Sequence, residues 1–461
     1  MREPGGPHRS PGFTAMSSRP SMSVTDLPLR RFSCGNGSAS CSNGCPGSET
    51  MTNRILRLIP IAAALLPVGC SSAAIGPFLA PLPDPSGHFE VVGRGPVTGS
   101  HTSDLWVFRG VDGRDYAYTG TWGACDGCFG DRVYAWDVTD PAAPVLTDSV
   151  MVDARVVNDV KVNAAGTIAV ITRENASSRR NGIVLLDLED PAHPRILSEF
   201  WETLTGGVHN TFIDGDLVYA VNNGTADLHI IDISDPDDPR QIGRYGVPTH
   251  PAKYLHDVYV KDGLAYLSYW NDGLIIIDVG NGIRDGTPQD PEYVSQYRYQ
   301  YEVDRLPYGN THVAFPYTNA AGRKYVFLGD EIFPPGFAVG DPETSPAGYI
   351  HVVDVTDIED PEEVAFYEIP DAGPHNIWVE DDVMYVAYYN AGLRAVDVSG
   401  DLRGDLGQQG REIARLATTD ANAFVPNRPF TWGPQLYRGL VYASDHTSGL
   451  WIARLVRGED N

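Results

Sequence analysis

The chain has 461 residues, with 60 Asp and Glu against 34 Lys and Arg, and a formal net charge of −26. So acidic a surface repels nucleic acid and anionic headgroups, which argues against a DNA or RNA partner. Abundant Gly (48), Pro (35) and Tyr (23), without a long amphipathic helical pattern, fit many short strands joined by tight turns better than a helical fold.

Residues 1–50 are rich in Ser, Gly, Pro and Arg and hold Cys34, Cys41 and Cys45. They read as disordered, or as a mis-assigned start upstream of the true one. From Met51 a basic segment with Arg54 and Arg57 leads into an apolar run from Leu58 to Leu66, the pattern of a signal peptide over residues 51–69. That run is shorter than the roughly 20 residues needed to cross a bilayer. Leu66-Pro67-Val68-Gly69-Cys70 resembles a bacterial lipobox, with Pro67 where Leu is usual. The resemblance implies lipidation at Cys70, a tether over 70–87, and a lipoprotein of the bacterial cell envelope. It would be membrane-anchored through its lipid and face the periplasm or the exterior.

Beyond the tether one strand recurs: Val133-Tyr-Ala-Trp-Asp137, Ile183-Val-Leu-Leu-Asp187, Leu228-His-Ile-Ile-Asp232, Leu274-Ile-Ile-Ile-Asp278, Ile350-His-Val-Val-Asp354 and Leu393-Arg-Ala-Val-Asp397. A seventh copy, Leu450-Trp-Ile-Ala-Arg454, carries Arg at the Asp position. Most spacings match the ~40–50 residues of a four-stranded blade, with one long insertion between Asp278 and Asp354. Each copy ends in a turn such as Asp232-Ile-Ser-Asp235-Pro236, where Asp can bond the backbone and Pro restricts φ. The repeated Asp is therefore expected to cap turns. Asp262-Gly263 between two apolar runs is a hairpin signal.

These runs resemble the LVIVD repeat family, over nearly everything from residue 88 to 455. The predicted fold is an all-β, seven-bladed β-propeller with four-stranded blades, followed by a tail over 456–461. The seventh copy stops after its third strand, and Phe89-Glu-Val-Val-Gly-Arg94 resembles the missing outer strand. Pairing the two ends would close the ring and remove a sheet edge.

Strands alternate in direction within a blade, so the second-to-third loops and the inter-blade connections share one face, and the Asp-Gly and Asp-Pro turns share the other. The first face carries the enlarged loops, 119–132, 172–182 and 329–349, and is the expected working face. Glu331 and Phe333 in the longest loop are candidate ligand contacts, against the alternative of a surface excursion that touches nothing. The first polar pairs of the inner strands surround the channel mouth on this face: Asn158-Asp159, His209-Asn210, His256-Asp257, Thr311-His312 and His375-Asn376, with Ser103-Asp104 in blade one and Trp432-Gly433 in blade seven. A ring of imidazole, amide and carboxylate groups can be a hydrogen-bonded collar, or it can bind a ligand or a metal ion through His209, His256, His312 and His375. No cofactor follows from the residues themselves, a metal ion being the one candidate.

Blade one's enlarged loop holds Cys125 and Cys128. Outside the cytoplasm a pair so spaced is expected to form a disulfide, although a CxxC on the working face can also exchange thiols. Trp122-Gly-Ala-Cys125-Asp-Gly-Cys128-Phe-Gly-Asp131 resembles selenium-binding proteins, propellers that include methanethiol oxidases. That resemblance implies a metal-dependent oxidoreductase handling thiols or selenium. The residues before Trp122, Tyr118-Thr-Gly-Thr121, lack the His pair of that family. No G-x-S-x-G elbow or HExxH helix is present, which favours a binding or scaffold module for a protein, glycan or small ligand over an enzyme.

Overall fold

A computed structural model describes residues 81–123, 128–299, 310–341 and 343–458. They are all-β, forming seven four-stranded antiparallel blades in a ring, as the repeat predicts. Blade one runs from His101–Arg109 inside to Val145–Met151 outside, and blade six from Ile377–Glu380 to Glu412–Leu416. In blade seven the inner strand is Thr431–Tyr437 and the third is Gly449–Val456, against which the N-terminal strand His88–Pro96 pairs antiparallel. The ring closes between the two ends of the propeller, so neither terminal strand leaves an open edge there. Blade five gains a short fifth strand, Gly404–Asp405, which pairs in parallel with its outer strand. Among the described residues no helix is long and apolar enough to cross a membrane.

The repeated Asp does local work in every blade that has one. Asp137, Asp187, Asp232, Asp278, Asp354 and Asp397 each accept the backbone N–H two residues onward, the bond that turns the chain toward the outer strand. Asp262 and Gly263 have φ of 53° and 74° and join paired Lys261 and Leu264 as a tight hairpin. Every outer strand carries a register shift near its middle. Such bulges add twist at the rim, where the blade must splay from the axis. At two shifts the chain needs glycine, because a Cβ on Gly93 or Gly243 would overlap the carbonyl oxygen of Pro141 or Pro288 in the neighbouring blade.

Cores lie between blades rather than within them. One apolar cluster fills each junction: Tyr118, Val160 and Leu186 between blades one and two, for example, and Leu105, Trp136 and Ile452 between seven and one. Alternating side chains on both faces of each sheet are thereby buried, which explains third strands that are apolar at almost every position. Each blade depends on two neighbours for its core.

Candidate functional site

Five inner strands shift register where they begin, between Thr102 and Leu105, Val208 and Thr211, Leu255 and Asp257, Thr311 and Val313, and Thr431 and Gly433. A bulge re-aims side chains, so two successive residues can both reach the channel. The first of each pair forms a ring at the mouth. Ring centroids step from His209 to His256 (4.5 Å), His312 (4.2 Å), His375 (4.0 Å) and Trp432 (4.2 Å). From Trp432 the stack continues to His446 (4.5 Å) and His101 (4.1 Å). Blade five corrects the pairing expected from the sequence by one residue. His312 stands in the His position and Val313 follows it toward the channel, whereas Thr311 is buried and donates to the Tyr299 hydroxyl.

Much of this ring is a collar of hydrogen bonds between neighbouring blades. Asn158 Nδ2 donates to the His209 carbonyl (3.2 Å), Asn210 Nδ2 to that of His256 (3.0 Å), and His256 Nδ1 to that of His312 (3.1 Å). His375 Nδ1 donates to the Trp432 carbonyl, and His446 Nδ1 to that of Thr102 (2.9 Å). The series breaks at blade five, where His312 Nδ1 is buried without a hydrogen-bond partner among the described residues.

A second ring lies beside the first, and of its members sequence reasoning singled out only Glu331 as a candidate ligand contact. At the end of the second strand, within two residues of its last position, stand Trp122, Glu174, Asn223, Trp270, Glu331, Tyr389 and His446 in successive blades. In blades two, three, four, five and seven the N–H of this residue bonds the carbonyl two residues before the mouth residue of the same blade. Most of these side chains meet the inner ring, and Asn223 meets it through Glu174. Glu174 Oε1 lies 2.7 Å from His209 Nδ1, and Asn223 donates to the other oxygen of Glu174 (2.9 Å). Trp270 packs on His256 (5.0 Å), Tyr389 on His375 (5.0 Å), and Trp122 edge-on to Trp432 (5.0 Å). The Tyr389 hydroxyl donates to Glu331 Oε1. The signal available in the sequence was positional, since no residue type is common to the blades and only Trp and Glu occur twice.

Electrostatics divide the rings. Burial, reinforced by neighbouring imidazoles, drives His256 and His312 well below the ordinary histidine range and His375 down to about 3, so these imidazoles are neutral. Burial also lifts the Glu331 carboxyl to about 7, opposed by the Tyr389 bond. His209 differs, because Glu174 outweighs its burial and raises it.

Deeper in the channel the second residues of the pairs diverge from a simple ligand set. Asp159 accepts from Lys161, from the Thr211 backbone (2.8 Å) and from the Thr211 hydroxyl (3.2 Å), while Lys161 also reaches Asp104 (3.2 Å). Burial raises Asp104 to about 6 and Asp257 to about 8, so Asp257 is mainly the neutral acid at pH 7. Asp104, Lys161 and Asp257 line a cavity of about 70 Å³ together with Phe212, Tyr259, Phe315 and Trp378. The space suits a few water molecules, since each needs roughly 10–15 Å³.

Phe333 is 40% exposed and contacts Phe337 (4.6 Å) and Tyr389 (5.6 Å). Phe337 in turn packs near Phe430 (5.8 Å), so the blade-five loop folds against the mouth instead of standing free. Cys70 and Cys125 lie outside the described residues, and with them the lipidation site and one half of the expected Cys125–Cys128 disulfide.

A seven-bladed propeller with imidazole, carboxylate and aromatic groups gathered at one channel mouth is the class these features define. A family described as the LVIVD repeat matches residues 205–247, 253–282 and 374–401, in blades three, four and six, so the chain carries LVIVD repeats. No curated protein matches it. Among solved structures it is similar to the β-propeller domain of Myceliophteria thermophila Cps50 (Swd1), with a TM-score of 0.50 and 10% identity over 78% of this chain and 97% of that one. A chain from the S. cerevisiae structure of Dbp5 bound to Nup159, Gle1, IP6 and ADP gives a TM-score of 0.48 and 14% identity over 81% and 97%. At 10% identity the first of these likenesses shows the fold alone. The resemblance of Trp122–Asp131 to selenium-binding proteins finds no support in these matches.

Proposed function

We propose that this protein is a binding module that takes its ligand at the loop-rich face of the propeller, over the channel mouth. One observation carries the reading. Side chains from the second-to-third loops of several blades, among them Glu174, Glu331 and Tyr389, converge on the inner-strand ring, with Phe333 exposed beside them. The opposite face is made of repeated Asp turns and hairpins whose polar groups are engaged in holding backbone. Polar groups buried around an aromatic mouth favour a ligand with both polar and apolar parts. We further propose that the chain is exported and held at the membrane by a lipid on Cys70, which leaves this face free to meet a protein, glycan or small ligand in the envelope.

Both parts are testable in cells that make the protein. A photo-crosslinking residue placed at Phe333 is expected to give discrete adducts, and the same residue at Asp237 on the turn face none. Equal labelling from both positions, or none from Phe333, would overturn the assignment of the face. Incorporation of labelled palmitate is expected in the wild type and not in Cys70→Ser, and its absence from the wild type refutes the anchor.

A further inference from the structure

The collar explains why imidazoles recur around the mouth, but it does not explain the one place where it fails. His312 is 1% exposed, and its Nδ1 has no partner among the described residues. Leaving such an atom unpaired forfeits its solvation without return, so a fold that retains it calls for a reason. Beside it stand two other buried groups, His256 at 4% exposure and Glu331 at 7%. One ligand atom from each of His256, His312 and Glu331 can be chosen so that all lie within 4.8 Å of one another.

We propose that His256, His312 and Glu331 bind one divalent transition-metal ion of the zinc and copper class at the channel mouth. This deepens the binding-module reading and rests on it for the location of the working face. Three features of the surroundings match what a metal demands. His256 is held by the bond from its Nδ1–H to the His312 carbonyl, which fixes the tautomer that leaves Nε2 as a lone-pair donor. Metal-bound histidines are oriented by this kind of second bond. Glu331 is fixed the same way, through the Tyr389 hydroxyl on one oxygen, while the other makes no hydrogen bond among the described residues. A bound cation would also add positive charge beside this buried carboxyl, which no Lys or Arg pairs with among the described residues and which has His209 as its cationic neighbour.

The donor set selects the ion. Two imidazoles with one carboxylate suit zinc, copper, nickel or iron, and disfavour calcium and magnesium, which take oxygen ligands. Three protein ligands leave a coordination position open, the arrangement that lets a metal hold an exogenous ligand instead of serving as a closed structural site. A small anionic or thiol-bearing group completing the shell is the chemistry such a position recruits.

The test uses the full chain with its thiols alkylated, so that cysteines cannot compete, stripped with chelator and passed through gel filtration after incubation with Zn²⁺, Co²⁺, Ni²⁺ or Cu²⁺ alone. Wild type and the control His193→Ala, whose imidazole lies on the turn face, are expected to retain about one ion per chain. His256→Ala and Glu331→Gln are expected to lose affinity at least tenfold. Glu331→Gln keeps the shape and the Tyr389 contact, so it remains informative if His256→Ala fails to fold. Co²⁺ bound by wild type should show the visible bands of a four- or five-coordinate site. If no ion is retained stoichiometrically by wild type, or if Glu331→Gln retains it equally well, the proposal is wrong. Crosslinking from Phe333 tests the working face independently, so a metal-free protein that still crosslinks there refutes only the metal.

Discussion

His351 shows how much a single buried group can hold. It lies in the third strand of blade five, 2% exposed, between Asp330 (3.0 Å) and Glu363 (2.9 Å). Burial alone would lower its imidazole, but the two carboxylates prevail and hold it up at about 9 against an ordinary 6.5. Because the folded value is the higher one, protonation favours the folded state. The contribution is complete below pH 6.5 and is lost as pH rises through about 9, amounting to roughly 3 kcal/mol. The unfolding midpoint is therefore expected to fall between pH 6.5 and about 10 more steeply in wild type than in His351→Gln. Equal slopes would show that the pair of carboxylates does not hold the proton.

The third-strand Asp is one repeated element with unequal loads. Asp232 accepts a single backbone N–H, from Ser234, in an exposed turn. Asp278 is fully buried and accepts from Gly280, Asn281, Gly282, Arg284 and Gly286, gathering the long connection of blade four. Burial pushes the Asp278 carboxyl up, yet these N–H groups together bring it down to about 2. Asp232→Ala is expected to cost about 1 kcal/mol and Asp278→Ala about 3 kcal/mol or more, because the second leaves several buried donors unpaired. Urea unfolding midpoints of the two variants measure the difference. Comparable losses would mean that the blade-four connection is held by its other contacts.

Across the ring, stability is cooperative because each core belongs to two blades. The strand His88–Pro96 closes the circle, and Phe89 from it enters the cluster between blades six and seven. Deleting residues 88–96 exposes the edge of Gly449–Val456 and removes part of that cluster. The expected outcome is a large loss of unfolding midpoint together with self-association on gel filtration. A deletion variant that stays monomeric and melts like wild type would show that the junction between blades six and seven does not need the closing strand.

Blade number, Asp turns, hairpins and ring closure were legible in the linear chain because each rests on local backbone chemistry repeated at near-constant spacing. Asp232 caps the same turn whatever surrounds it, and Asp262-Gly263 needs only its own φ values. The mouth was legible in part: His209, His256 and His375 lie where their strand position indicated, but His312 was paired one residue out of register because a bulge is invisible to simple counting. The second ring was hidden as a ring, although Glu331 stood out by its place in the longest loop. Trp122, Glu174 and Tyr389 share a place in the repeat but not a side-chain type, and Tyr389 meets Glu331 across 58 residues. Such contacts arise only when blades close around an axis and bring loops of unequal length over one opening. That convergence groups His312, its Nδ1 unpaired, with a buried carboxylate, a circumstance that depends on distances in space and not on order along the chain.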